Sequence, residues 1–97
     1  MAKRAYSENR DKVLKQRLLN LGEAIIGGKV KTWDQVFAFV EPTPLAETLN
    51  IPYYTFLNKI ATTDKFTVGD CKVLAKHAGI DANVAFTFIA SVKPKKA

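Results

Sequence analysis

The sequence predicts an all-α protein, a compact bundle of five to six helices, and three observations carry that expectation. Apolar residues recur at three- and four-residue steps in every periodic segment, and no segment alternates strictly as a half-buried strand would. No Asn-Gly type hairpin turn occurs. The breaks between periodic segments fall at Gly, Pro, Asn and capping residues, which is how short helices are punctuated. With 97 residues, 47% of them apolar and 25% charged, the chain supports one small domain with one core and excludes a multidomain enzyme.

The first helix is expected from Glu8 to about Ile26. Ser7 is its N-cap, Val13, Leu14, Leu18, Leu21 and Ile25 form its apolar stripe, and Gly27 and Gly28 end it. Thr32 caps a short second helix in which Trp33, Val36, Phe37 and Val40 share a side, and Pro42 stops it. Thr43 before Pro44 caps a third, Leu45 to Leu49, only two turns long. Asn50 tolerates the left-handed region and so suits a tight turn, after which Pro52 opens a fourth helix reaching Ile60 or Ala61. Thr67 with Asp70 makes a capping box for a helix through Val68, Cys71, Leu74, Ala75 and Ala78 that closes at Gly79. Asp81 caps the last helix, with Ala85, Phe88, Ile89 and Val92 inward. The expected core includes Leu18, Phe37, Leu45, Ala46, Leu49, Phe56, Ile60, Leu74 and Phe88.

The formal charge of +6 is unevenly spread. Residues 1–31 carry Lys3, Arg4, Arg10, Lys12, Lys15, Arg17, Lys29 and Lys31 against Glu8, Asp11 and Glu23, a net of +5. Residues 32–91 are net −2, and Lys93, Lys95 and Lys96 add +3. Basic ends on a near-neutral centre suit contact with a polyanion, nucleic acid first, and they are also a simple way to keep a small protein soluble. No uninterrupted apolar run is long enough for a membrane span, and Met1 to Arg17 lacks the apolar region of a secretory signal. A cytoplasmic protein without a membrane partner is expected. The single cysteine, Cys71, excludes an intrachain disulfide and agrees with a reducing compartment.

Catalytic patterns are weak. His77, the only histidine, sits near a helix end, and Cys71 recurs on an apolar face where a small core residue belongs. The run Gly27-Gly28-Lys29 fails as a phosphate loop twice, with Glu23 where a glycine is needed and Val30 where Ser or Thr is needed. The acids show no metal-ligand spacing. No enzyme activity, cofactor, metal or small-molecule substrate is expected.

The informative stretch is Leu45-Ala46-Glu47-Thr48-Leu49-Asn50-Ile51-Pro52-Tyr53-Tyr54-Thr55-Phe56, in which a small Ala precedes a tight turn between two short helices. With Gly28-Lys29-Val30-Lys31 upstream, Thr55-Phe56-Leu57 inside the second helix and Phe66 to Asp81 downstream, it resembles the lambda-repressor-like (Cro-type) helix-turn-helix family. It is similar in particular to small regulators of Bacteroidetes phages and mobile elements, over roughly Ile25 to Val92. Asn50 stands at the family's turn glycine, Pro52 at its capping Ser or Thr, and Lys59 where many members are apolar.

The resemblance implies a lambda-repressor-like fold and a role in transcription control through double-stranded DNA, and it allows a homodimer. It divides the single domain into a basic N-terminal helix and arm (1–31), a helix-turn-helix core (32–92) and a lysine-rich tail (93–97). The family's base-contact positions fall on Tyr53, Tyr54 and Asn58. On a wheel of about 100° per residue, Phe56, Ile60, Tyr53 and Leu57 share an inward arc, leaving Tyr54, Thr55, Asn58 and Lys59 outward. An Asn can pair bidentately with adenine, while Lys, Thr and Tyr reach base edges or phosphates. The expected DNA-contacting set is therefore Thr43, Tyr53, Tyr54, Thr55, Asn58, Lys59 and Lys65, with Lys3 and Arg4 from the arm. The alternative is a non-catalytic protein-interaction or structural module on the same fold, since residues 43–66 are net neutral.

Overall fold

The computed structural model describes residues 2–95, with side chains from Asp11 onward. Within these residues there are six α-helices and no strand: α1 (Ala2–Ile26), α2 (Trp33–Phe39), α3 (Pro42–Thr48), α4 (Tyr53–Ala61), α5 (Val68–Ala78) and α6 (Ala82–Ser91). A single 3-10 turn, Thr63–Lys65, joins α4 to α5.

Helix α1 starts well before Ser7, which therefore lies inside the helix rather than capping it. Of its described side chains, those from Leu14 onward supply its share of the core. Leu18, Leu21, Ala24 and Ile25 are buried and Leu14 is partly so, whereas Val13 is 51% exposed and falls outside the expected stripe. The helix ends as its glycines require: Gly28 takes φ +70°, and the Lys29 amide donates to the Ala24 carbonyl at 3.0 Å. Gly22 faces α5 so closely that a Cβ there would overlap the Ala78 carbonyl oxygen.

Two helices are capped by reciprocal boxes. At α2, Thr32 Oγ1 accepts from the Gln35 amide at 3.2 Å, and Gln35 Oε1 accepts from the Thr32 and Lys31 amides. At α5, Thr67 Oγ1 accepts from the Asp70 amide and Asp70 Oδ2 from the Thr67 amide, both at 3.0 Å. Gly79 at φ +68° then closes α5. Asp81 holds the N-cap position of α6 but makes no side-chain bond there.

Helix α3 differs from expectation. Val40 is extended, so α2 ends before Pro42, and Pro42 begins α3 with Glu41 at the N-cap. Proline already lacks the N–H that a first-turn residue leaves unpaired, so the helix can start two residues earlier than Thr43 as cap would allow. Thr43 lies within the first turn, exposed, rather than capping it.

One hydrophobic cluster runs from Leu18 to Val92 and draws on all six helices. Trp33 is its hub, 2% exposed, with ring centroids 5.6 Å from Phe66, 6.0 Å from Phe88, 6.1 Å from Phe37 and 6.2 Å from Phe56. Phe37 is only partly buried; the other expected core residues are buried. The segment after α6 is docked. The Lys93 amide donates to the Lys31 carbonyl at 3.1 Å, and the Lys95 amide to the Ile60 carbonyl at 2.8 Å. Lys95 Nζ also lies 2.7 Å from Asp34 Oδ1. The described part of the tail is thus a strap across the α1–α2 loop and the end of α4.

Candidate nucleic-acid interface

Helices α3 and α4 are joined by Leu49 to Pro52. Asn50 takes φ +56°, the left-handed conformation that an Asn accepts at lower cost than a branched residue. The Ile51 amide donates to the Ala46 carbonyl at 3.0 Å, which folds the turn back on α3. Ala46, 2% exposed, keeps a small side chain where the two helices meet. The Pro52 carbonyl accepts from the Phe56 amide at 2.8 Å, so α4 opens from Pro52 without a side-chain cap.

Phe56 is fully buried and Ile60 is 2% exposed, which sets the rotation of α4. Tyr54 is then 81% exposed, and Thr55 and Asn58 lie on the exposed side with no side-chain hydrogen bond among the described residues. Tyr53 departs from its inward assignment. At 43% exposed it stands outside the core, its ring edge-on to Tyr54 with centroids 6.0 Å apart. It lies at the margin of the apolar arc, in the first turn of α4. Val68, at the start of α5, is 60% exposed.

The cations of α4 and its surroundings are not equivalent. Lys65 is exposed in the 3-10 turn that follows α4. Lys59 is not presented outward: its ammonium binds Asp70 Oδ2 and lies 6.0 Å from the Phe66 ring centroid, both side chains being 15% exposed. Burial alone would raise the Asp70 pKa, but the Lys59 hydrogen bond and the Thr67 amide outweigh it and hold the carboxyl below its ordinary value. Lys15 and Lys76 line, with Asp11, His77 and Thr48, an open groove of about 450 Å³ that links α1 and α5 to the end of α3. Lys3 and Arg4 lie outside the residues whose side chains are described.

Burial first, and the neighbouring Asp70 carboxylate second, push the Cys71 thiol up, which disfavours the nucleophilic thiolate. The cavity bounded by Trp33, Asp70, Cys71 and Phe88 holds about 10 Å³, room for a single water at most. No group of three or more potential metal-ligating residues is assembled among the described residues. No helix there is long and apolar enough to cross a membrane.

Sequence reasoning missed two features of the structure. The Gln35 half of the α2 capping box was readable, three residues after Thr32. The Lys59–Asp70 pair was not, because its partners lie on different helices and carry no local signature. No protein-family model, curated protein or solved structure matches the chain.

Proposed function

We propose that the chain is a non-catalytic DNA-binding protein of lambda-repressor-like type, a bacterial or phage transcriptional regulator that places α4 in the major groove. The observation that carries this reading is the side-chain division of α4: Phe56 and Ile60 are buried while Tyr54, Thr55 and Asn58 stand exposed after a tight Asn50 turn. Asn58 supplies a bidentate donor and acceptor for a base edge, the tyrosine hydroxyls and Thr43 supply phosphate contacts, and Lys65 adds charge at the rim. The groove bearing Lys15 and Lys76 extends positive charge beside α3. A second reading has its own support: an exposed Tyr53, Tyr54 and Val68 with Lys59 neutralised also suits a protein partner, since tyrosine is enriched and charge depleted in protein interfaces.

Selection of genomic fragments by the purified chain, followed by Asn58→Ala, separates the two. The DNA reading expects Asn58→Ala to lose about 1 to 3 kcal/mol of discrimination between the best duplex and a scrambled one, with stability unchanged. Lys76→Ala should weaken both duplexes alike. Equal preference before and after Asn58→Ala, at one fixed salt concentration, removes the base-reading role.

A further inference from the structure

Lys59 is the only cation on α4, and it stands one turn beyond Thr55 on the same side of the helix. A lysine there would ordinarily extend into solvent beside Thr55 and Asn58. Instead its stem turns toward α5, its ammonium lies over Phe66 and Asp70 Oδ2 receives it. That oxygen is fixed independently, because it also accepts the Thr67 amide at 3.0 Å in the capping box of α5. The receiver of the charge is therefore part of a helix terminus and does not depend on Lys59 for its position.

We infer that Asp70 is a specificity-determining residue of the α4 face: by holding Lys59 against Phe66 it withholds a cation that would otherwise reach a phosphate. The inference rests on the DNA reading given above. A lysine–phosphate contact strengthens binding to every sequence alike, so adding one dilutes the share of affinity that depends on base edges. With Lys59 withheld, α4 meets the duplex through Tyr54, Thr55 and Asn58, whose contacts are neutral and directional. Asp70→Asn keeps an acceptor for the Thr67 amide and removes the charge. A largely buried ammonium without a counter-ion then leaves Phe66 for solvent.

The test is a salt titration of the full chain on the duplex it selects from genomic fragments and on a scrambled duplex, for the natural chain, D70N, K59Q, D70N/K59Q and K65Q. D70N is expected to bind both duplexes more tightly, with the scrambled one gaining more, and to steepen the slope of log affinity against log salt by about 0.9. K59Q should leave the slope where it was, and D70N/K59Q should return it there. Two results overturn the inference while leaving the DNA reading standing: K59Q flattening the slope as K65Q does, or a folded D70N with slope and preference unchanged. A natural chain that selects no duplex overturns both. Should D70N lose its helical spectrum, the K59Q slope alone decides, unchanged in support and flattened against.

Discussion

One carboxylate oxygen, Oδ2 of Asp70, accepts both the Lys59 ammonium and the Thr67 amide, so protonating it loosens two elements at once. Its folded pKa lies below the ordinary value near 3.9, so its contribution to stability is complete above that pH and is lost as pH falls through the folded pKa. Urea unfolding from pH 6 down to pH 3 should show this loss, and Asp70→Asn should flatten the profile at the acid end. Gly22 makes the opposite kind of demand, for the absence of an atom. Alanine gains about 1 kcal/mol of helix propensity over glycine. Here, however, its methyl would overlap a backbone carbonyl of α5, which yields less readily than a side-chain tip. Gly22→Ala is expected to destabilise by a net of about 1 to 3 kcal/mol, read as a fall in the urea midpoint. Gly27→Ala, whose added Cβ would meet its nearest neighbour at 3.4 Å, should be tolerated. The two sites also differ in legibility. Asp70 as a capping residue was plain from Thr67 three positions before it, whereas the need for Gly22 is created by Ala78, which no local pattern connects to it.

At the scale of helices, the segment from α3 to α4 was legible wherever the determinant is local. Asn50 was read as the left-handed residue and Phe56 and Ile60 as anchors of α4, and each stands so; Pro52, read as the start of α4, is its N-cap, with Tyr53 the first helical residue. The failures occur at element edges. Thr43 followed by a proline imitates a cap, but Pro42 already opens α3. Tyr53 sits within the apolar arc of a wheel that takes every position on it to be covered, and at 43% exposed it is not. The crossing itself gives a sharp test. Ala46→Glu buries an unpaired carboxylate between α3 and α4 and should cost about 3 to 5 kcal/mol, a large part of the stability of a small domain. An unchanged urea midpoint after Ala46→Glu would show that the crossing tolerates bulk.

Across the whole molecule, the sequence separated charged ends from a near-neutral centre and placed Leu18, Leu21 and Ile25 on an inward stripe, but did not reveal that the segment after α6 is docked. Helix α1 contributes those residues and Ala24 to the same core as α6, and the described part of the tail forms a strap. Deleting residues 93–97 therefore has two expected effects. Loss of the two backbone bonds to Lys31 and Ile60 should lower stability by about 1 to 3 kcal/mol, since the exposed Lys95–Asp34 pair adds little. On DNA the salt slope should flatten by at most about 1.8, about 0.9 for each of two lysines, because Lys95 is already matched by Asp34. An unchanged thermal midpoint after the deletion would refute the structural role of the strap.

That strap also sets an order of opening. The Lys95 amide and the Ile60 carbonyl stand 35 positions apart in the sequence, so their bond forms only once the helices between them have been brought together. In hydrogen exchange the Lys95 amide should therefore exchange sooner than the amides within α5, recording a latch that is last to close and first to open.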